Sequence, residues 1–210
     1  MSENKPLRIA VFVGTKGRGS NLMAVHAATQ EGRLSAEVCL VVGTKPDAPA
    51  LLRAQEAGIP VAVIALGEGY DVRLLAALDA AKADTIALAG YLRKLPEPVV
   101  ERFRWRIVNV HPALLPSFGG KGMYGHHVHE AVLAYGCKVS GCTVHFVDTE
   151  YDTGPILLQR TVPVLDDDTP ETLAARILPE EHAAYLAALH YLAEGRVSVK
   201  GRRVSVAKRD

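Results

Sequence analysis

The 210-residue chain reads as an α/β protein built on a mostly parallel open sheet with flanking helices. Three observations carry that expectation. Strand-like and helical patterns take turns through the first half of the chain. Residues 38–42 form a near-continuous apolar run, as strands do when both sheet faces are covered. A glycine-rich turn over residues 14–19 joins the first strand pattern to the first helical one.

Taken in order, residues 7–13 are a β-rich run ending in glycine, and residues 20–30 an alanine-containing helical segment. Residues 49–57 read as a helix stopped by Gly58, and 61–64 as a short strand. Residues 71–83 are strongly helical, with Leu74, Leu75 and Leu78 at helical spacing. Residues 85–88 make the fourth strand; 107–110, inside the apolar run 105–110, make the fifth. This βαβα order implies parallel strands joined by right-handed crossovers. The second half changes character: 128–134 continue a helix, and 139–147 and 155–164 are longer strands suited to extend the sheet. Asp168-Thr169-Pro170-Glu171 is a helix start, with a capping side chain, a proline in the first turn and an acid near the positive end. Pro179 is expected to break or kink that long helix before 180–194 resume it. Residues 197–206 read as a hairpin turning at Lys200-Gly201.

Composition excludes several function classes. Charged residues make up 22% and hydrophobic ones 49%, ordinary for a soluble globular domain. A net charge of +1 provides no global field to recruit nucleic acid or an acidic membrane. Cys39, Cys137 and Cys142 have no metal-like spacing. The start Met1-Ser2-Glu3-Asn4-Lys5 shows no secretory pattern, and no apolar stretch reaches membrane-spanning length. The expected compartment is the cytoplasm, and the expected organisation is one domain over 1–210.

The chemistry-bearing residues sit near the end of the fifth strand pattern. Period-two alternation puts Asn109 and His111 on one face, and Pro112 and Pro116 stiffen the exit. About forty residues on, Asp152 lies in an acid-rich loop closed by Gly154-Pro155. An amide donor, a titratable base and a carboxylate to orient it are the parts needed for acyl transfer. Each also has an ordinary reading: a hydrogen-bonded histidine, an asparagine bonding its own turn, an aspartate of loop chemistry. The glycine loop likewise stays open between a plain tight turn and an anion site at a helix N-terminus. It is neither a dinucleotide fingerprint nor a Walker loop.

The wording of the motifs decides between these. Asn109-Val110-His111-Pro112 with Leu114-Leu115-Pro116, then Gly119-Gly120-Lys121-Gly122-Met123-Tyr124-Gly125-His126, resemble the phosphoribosylglycinamide formyltransferase family of folate-dependent formyltransferases. Residues 141–148, Asp152-Thr153-Gly154-Pro155-Ile156, Gly17-Arg18-Gly19-Ser20-Asn21-Leu22 and Glu181-His182 fit the same family, and the resemblance spans roughly residues 7–199.

The resemblance implies a Rossmann-like open sheet of the formyltransferase fold, its C-terminal half adding strands and a long helix. It implies a ribonucleotide-binding half over about 1–105 and a catalytic and folate half over about 106–210. Asn109, His111 and Asp152 would be catalytic. Gly19, Ser20, Asn21 and Glu181 would hold the ribonucleotide; apart from the resemblance, Lys16 and Arg18 of the glycine loop are expected to add positive charge for its phosphate. Leu92, Arg93, Lys94 and Leu95, with Asn109, would hold the folate. His126 would be part of the site wall, and His145 a structural support. His126, His127 and His129 invite a metal reading, but the resemblance implies none. 10-Formyltetrahydrofolate would be the cosubstrate and glycinamide ribonucleotide the acceptor. Neither nucleic acid nor membrane would be a partner, and the protein would be a monomer or homodimer. Asp152 is expected to raise the pKa of His111 and so favour its imidazolium.

Two departures from the family wording stand out. Residues 65–69 are short and lack the family's arginine, and Leu178 replaces a polar or basic residue. Other readings remain: a formyltetrahydrofolate deformylase, or a non-enzymatic nucleotide-binding module. A methionyl-tRNA formyltransferase fits less well, given the charge of +1 and an end at Asp210.

Overall fold

A computed structural model describes residues 5–209; the leader reading at Met1–Asn4 and the end at Asp210 lie outside the described residues. Seven strands form one sheet in the order β3-β2-β1-β4-β5-β6-β7. They are β1 (Leu7–Val13), β2 (Ala36–Gly43), β3 (Val61–Val63), β4 (Thr85–Ala89), β5 (Ile107–His111), β6 (Val139–Phe146) and β7 (Ile156–Pro163). The first five are parallel, while β6 and β7 add on antiparallel. The helices are α1 (Ser20–Gln30), α2 (Pro49–Glu56), α3 (Tyr70–Ala80), α4 (Glu97–Arg102), α5 (His126–Tyr135) and α6 (Pro170–Ala193). A separate hairpin, β8 (Val197–Lys200) and β9 (Arg203–Val206), follows.

Strand alternation divides the core in two. On β1, Ile9, Val11 and Val13 face one cluster, with Leu22 and Val25 of α1 and Leu173, Ile177 and Leu189 of α6. Ala10 and Phe12 face the other, with Leu74 and Leu78 of α3 and Val99 and Phe103 of the α4 region. Such double coverage is why parallel strands read as unbroken apolar runs. On β5, Val108 and Val110 join the first cluster and Ile107 the second. Asn109 and His111 therefore share the Ile107 face, as period-two alternation predicts.

One expectation needs correction. Pro179 does not break the long helix: α6 runs without interruption from Pro170 to Ala193. The residues that bury the helix, from Leu173 and Ile177 before the proline to Ala184, Tyr185 and Leu189 after it, are anchored on one core. That packing carries the helix across the missing backbone donor. The fifth strand begins at Ile107 as expected, after Trp105 turns the chain with a left-handed φ of 58°. The short helix α4 has no counterpart in the expectations from sequence.

One buried hydroxyl ties α6 to the sheet. Tyr185 is fully buried, and its hydroxyl lies 2.9 Å from the Leu88 carbonyl and 3.3 Å from that of Val108. Tyr185→Phe removes that donor with little change in buried area. It is expected to destabilise the fold by about 1–3 kcal/mol, since buried carbonyls lose their partner. Urea unfolding checks this through a lower midpoint at unchanged slope.

Candidate active site

Parallel α/β sheets bind ligands beyond the C-terminal ends of their strands, where strand order reverses. Here the order turns between β1 and β4. A cavity of about 520 Å³ opens at that edge, lined among others by Asn21, Asn109, His111, Asp152 and Glu181. Leu92, Arg93, Lys94 and Leu95, directly after β4, line it too. A smaller cavity of about 380 Å³ adjoins it, lined by residues 13–17 of the glycine loop and by Tyr91 and Arg93.

The loop leaving β5 is pinned from beneath. The buried Thr143 hydroxyl donates to the Ala113 carbonyl (2.6 Å) and accepts from the Leu115 N–H (3.0 Å). Gln159 Nε2 donates to the Leu115 carbonyl at 2.9 Å. This holds Phe118, at a left-handed φ of 55°, so that its carbonyl accepts from His111 Nε2 at 2.8 Å. That contact places the hydrogen of the neutral ring on Nε2 and leaves Nδ1 as the basic nitrogen. Nδ1 lies 3.8 Å from Asp152 Oδ2, within ion-pair reach but beyond a hydrogen bond.

Asp152 is anchored through one oxygen and lies close to His145 with the other. Oδ2 accepts from the Gly120 N–H at 2.8 Å, and Oδ1 lies 3.5 Å from His145 Nε2. Gly119 makes room for it, because an added Cβ would sit 3.2 Å from Asp152 Cβ and 2.5 Å from a Leu115 methyl. His145 donates through Nδ1 to the Phe146 carbonyl at 2.8 Å, so its Nε2 accepts one Asn109 amide hydrogen at 3.1 Å. The second hydrogen of that amide remains for the cavity.

Electrostatics correct one expectation. Burial, at 4% exposure, holds the His111 pKa below its ordinary value, although the Asp152 charge and the Phe118 carbonyl push it upward. The expected net rise does not occur, since desolvation of the imidazolium outweighs the carboxylate. Burial alone would raise Asp152, but its contacts with His145, His111 and the Gly120 amide leave it below the usual carboxylate range. The centre thus rests as an anionic aspartate beside a neutral histidine.

The remaining expected residues fall in different places. Asn21 Nδ2 donates to Glu181 Oε2 at 3.1 Å, joining α1 to α6 across 160 residues of sequence. Burial raises the Glu181 pKa against that hydrogen bond. Gly19, with φ 75°, and Ser20 form the start of α1, next to the cavity-lining Asn21. Lys16 lines the smaller cavity. Arg18 contributes its carbonyl to Arg53, and its side chain is not part of either lining. His126 is not part of the wall: it sits on the exposed first turn of α5, 3.3 Å from Glu130 and 3.5 Å from Glu171. Three residues further on, His129 is buried and lines the cavity, with Nδ1 unpartnered. Its place in the first inward turn of an amphipathic helix was the available signal. Arg73 folds back on the carbonyls of Ala65 and Glu68 rather than toward the cleft. Among the described residues, no three histidine, cysteine or acidic side chains converge as a metal site.

The sequence pattern of the formyl transferase family matches residues 7–189, and the chain belongs to that family. It is 43% identical over 195 residues to a Vigna unguiculata protein named phosphoribosylglycinamide formyltransferase, chloroplastic, covering 90% of this chain and 62% of that one. It is 44% identical over 202 residues to the trifunctional purine biosynthetic protein adenosine-3 of Drosophila melanogaster, covering 93% of this chain and 14% of that one. The chain therefore spans less than two thirds of those relatives. A crystal structure of glycinamide ribonucleotide transformylase 1 from Symbiobacterium toebii superposes with a TM-score of 0.89 at 40% identity, covering 97% of this chain and 95% of that one. A formyltetrahydrofolate deformylase from Pseudomonas syringae shares the fold at 22% identity and a TM-score of 0.85.

The pKa balance is testable. An NMR titration of free protein is expected to place the His111 midpoint below the ordinary histidine value. In Asp152→Asn the upward push is lost, and the midpoint should fall further. A midpoint that rises in the variant would contradict the assignment of Asp152 as the charge favouring imidazolium.

Proposed function

We propose that this chain transfers the formyl group of 10-formyltetrahydrofolate to the amine of glycinamide ribonucleotide, a step of purine synthesis. The observation that carries the reading is the convergence of Asn109, His111 and Asp152 on one cleft beside residues 92–95. The names of the relatives and the Symbiobacterium toebii structure support it.

The ribonucleotide lies against Gly19, Ser20, Asn21 and Glu181. Amides at the start of α1 suit its phosphate, and the Glu181 carboxylate suits ribose hydroxyls. The folate occupies the wall of residues 92–95, where Leu95 is buried and Leu92, Arg93 and Lys94 stay at the mouth. We read 1–210 as one domain, the first half supplying the glycine loop and the folate-facing residues 92–95 and the second half the catalytic trio. The acceptor amine attacks the formyl carbon, and the carbonyl π pair moves to oxygen. The free Asn109 N–H donates to that oxyanion. His111 Nδ1 takes the proton that the attacking amine sheds, and the imidazolium lies between Asp152 and the Phe118 carbonyl. That proton passes to the folate nitrogen as its bond to the formyl carbon breaks. Holding both substrates side by side lowers the entropic part of the barrier.

Among the described residues, no helix is long and apolar enough to cross a membrane. We read the compartment as cytoplasmic and the assembly as a monomer or homodimer acting on small molecules. The unpaired thiols of Cys39, Cys137 and Cys142 accord with a reducing compartment.

Absorbance-monitored deformylation of a 10-formyl folate tests the reading. Turnover is expected only with glycinamide ribonucleotide present; equal turnover without it would replace the reading with hydrolysis. Asp152→Asn is expected to lower kcat by roughly 10²–10⁴ with the fold intact, in the range of general acid–base contributions. A near-normal kcat would remove Asp152 from the mechanism.

A further inference from the structure

The β8–β9 hairpin lies beyond residue 189, where the family pattern stops, and no step above uses it. Val197, Val199, Val204 and Val206 fix it against the main core cluster. Its turn presents Arg202, whose Nη1 donates to the Thr153 carbonyl at 2.9 Å, across 49 residues of sequence. Thr153 directly follows Asp152.

The loop that receives this contact has reason to need it. Asp152 adopts φ 57°, a left-handed conformation that a non-glycine residue keeps only where its surroundings enforce it. Immediately after Thr153, Gly154 passes so close to the Phe146 carbonyl that a Cβ would lie 1.8 Å from its oxygen. Inside the loop, Asp148 Oδ1 accepts from the Thr153 hydroxyl at 2.7 Å and the Glu150 N–H at 3.1 Å. From the folate wall, Lys94 Nζ holds Glu150 at 2.6 Å. Arg202 grips the same loop from the opposite element, at the peptide next to the catalytic carboxylate.

We propose that Arg202 is a positioning residue: the hairpin braces the Thr153 peptide so that the Asp152 carboxylate stays between His111 and His145. The inference rests on the reading of Asp152 as catalytic. Without the brace the left-handed residue relaxes, Oδ2 leaves the Gly120 amide, and His111 loses the charge that favours its imidazolium.

Arg202→Ala and Arg202→Lys in the full chain test this with three readouts. In Arg202→Ala, kcat should fall about three- to tenfold, the effect of one charge-assisted hydrogen bond at an exposed site, with the KM for the ribonucleotide unchanged. Hydrogen exchange should quicken in peptides covering 148–155 and stay unchanged in β1 and β4. The His111 titration midpoint should move to lower pH. Arg202→Lys, which keeps a donor to the carbonyl, should recover most of each change. Unchanged exchange and titration in Arg202→Ala would overturn the proposal, as would a loss of protection spread evenly over the sheet. If the unmodified protein fails to turn over formyl folate, the functional reading falls, and exchange and titration still decide the brace.

Discussion

A single, mostly enclosed carboxylate organises the centre of this protein. Asp152 is 13% exposed and flanked by two histidines that are 4% and 2% exposed. A charge so placed persists only when its partners are fixed. Those partners come from His111 at the end of β5, from the Gly119-Gly120 turn in the loop that follows it and from His145 on β6, so three segments must hold register for one side chain. Thr143 and Gln159 beneath that loop, and the glycines at 119 and 154, serve that register by hydrogen bonding and by close approach.

The sheet supplies the frame. Placing β4 beside β1 opens a crevice at the strand ends, and the β5–β6 antiparallel step sends the chain back under it. His145 on β6 thereby pairs with Asn109 on β5, and the two meet side chain to side chain. Tyr185 then locks α6 to the carbonyls of β4 and β5 from the other face. The same helix delivers Glu181 to Asn21. Chemistry and stability draw on the same few strand ends.

Much of this was legible in the residues. Parity along β5 put Asn109 and His111 together, and the unbroken apolar runs announced a doubly covered sheet. What escaped was set by tertiary surroundings. Pro179 lies in a helix whose buried face is anchored on both sides of it, so packing overrides the local breaker. The three histidines near 126 look alike in sequence, and only the helix phase shows that His129 turns inward. The state of His111 follows from a contest between burial and a neighbouring charge, and spacing gives no measure of burial. The Asn21–Glu181 and Arg202–Thr153 contacts bridge long stretches of chain and have no local signature.

The way the sheet ends also has a consequence. An open edge offers unpaired backbone groups to any passing strand. At one side β3 is three residues long and preceded by Pro60, too short to template a partner. At the other, β7 ends in Pro163 and projects Arg160, which Glu180 holds at 3.1 Å, and β9 packs beside it. Lateral growth of the sheet into fibrous or swapped assemblies is thus discouraged at both margins. The strands are reserved for pairing within one chain while the apolar centre stays as β-rich as the cleft requires.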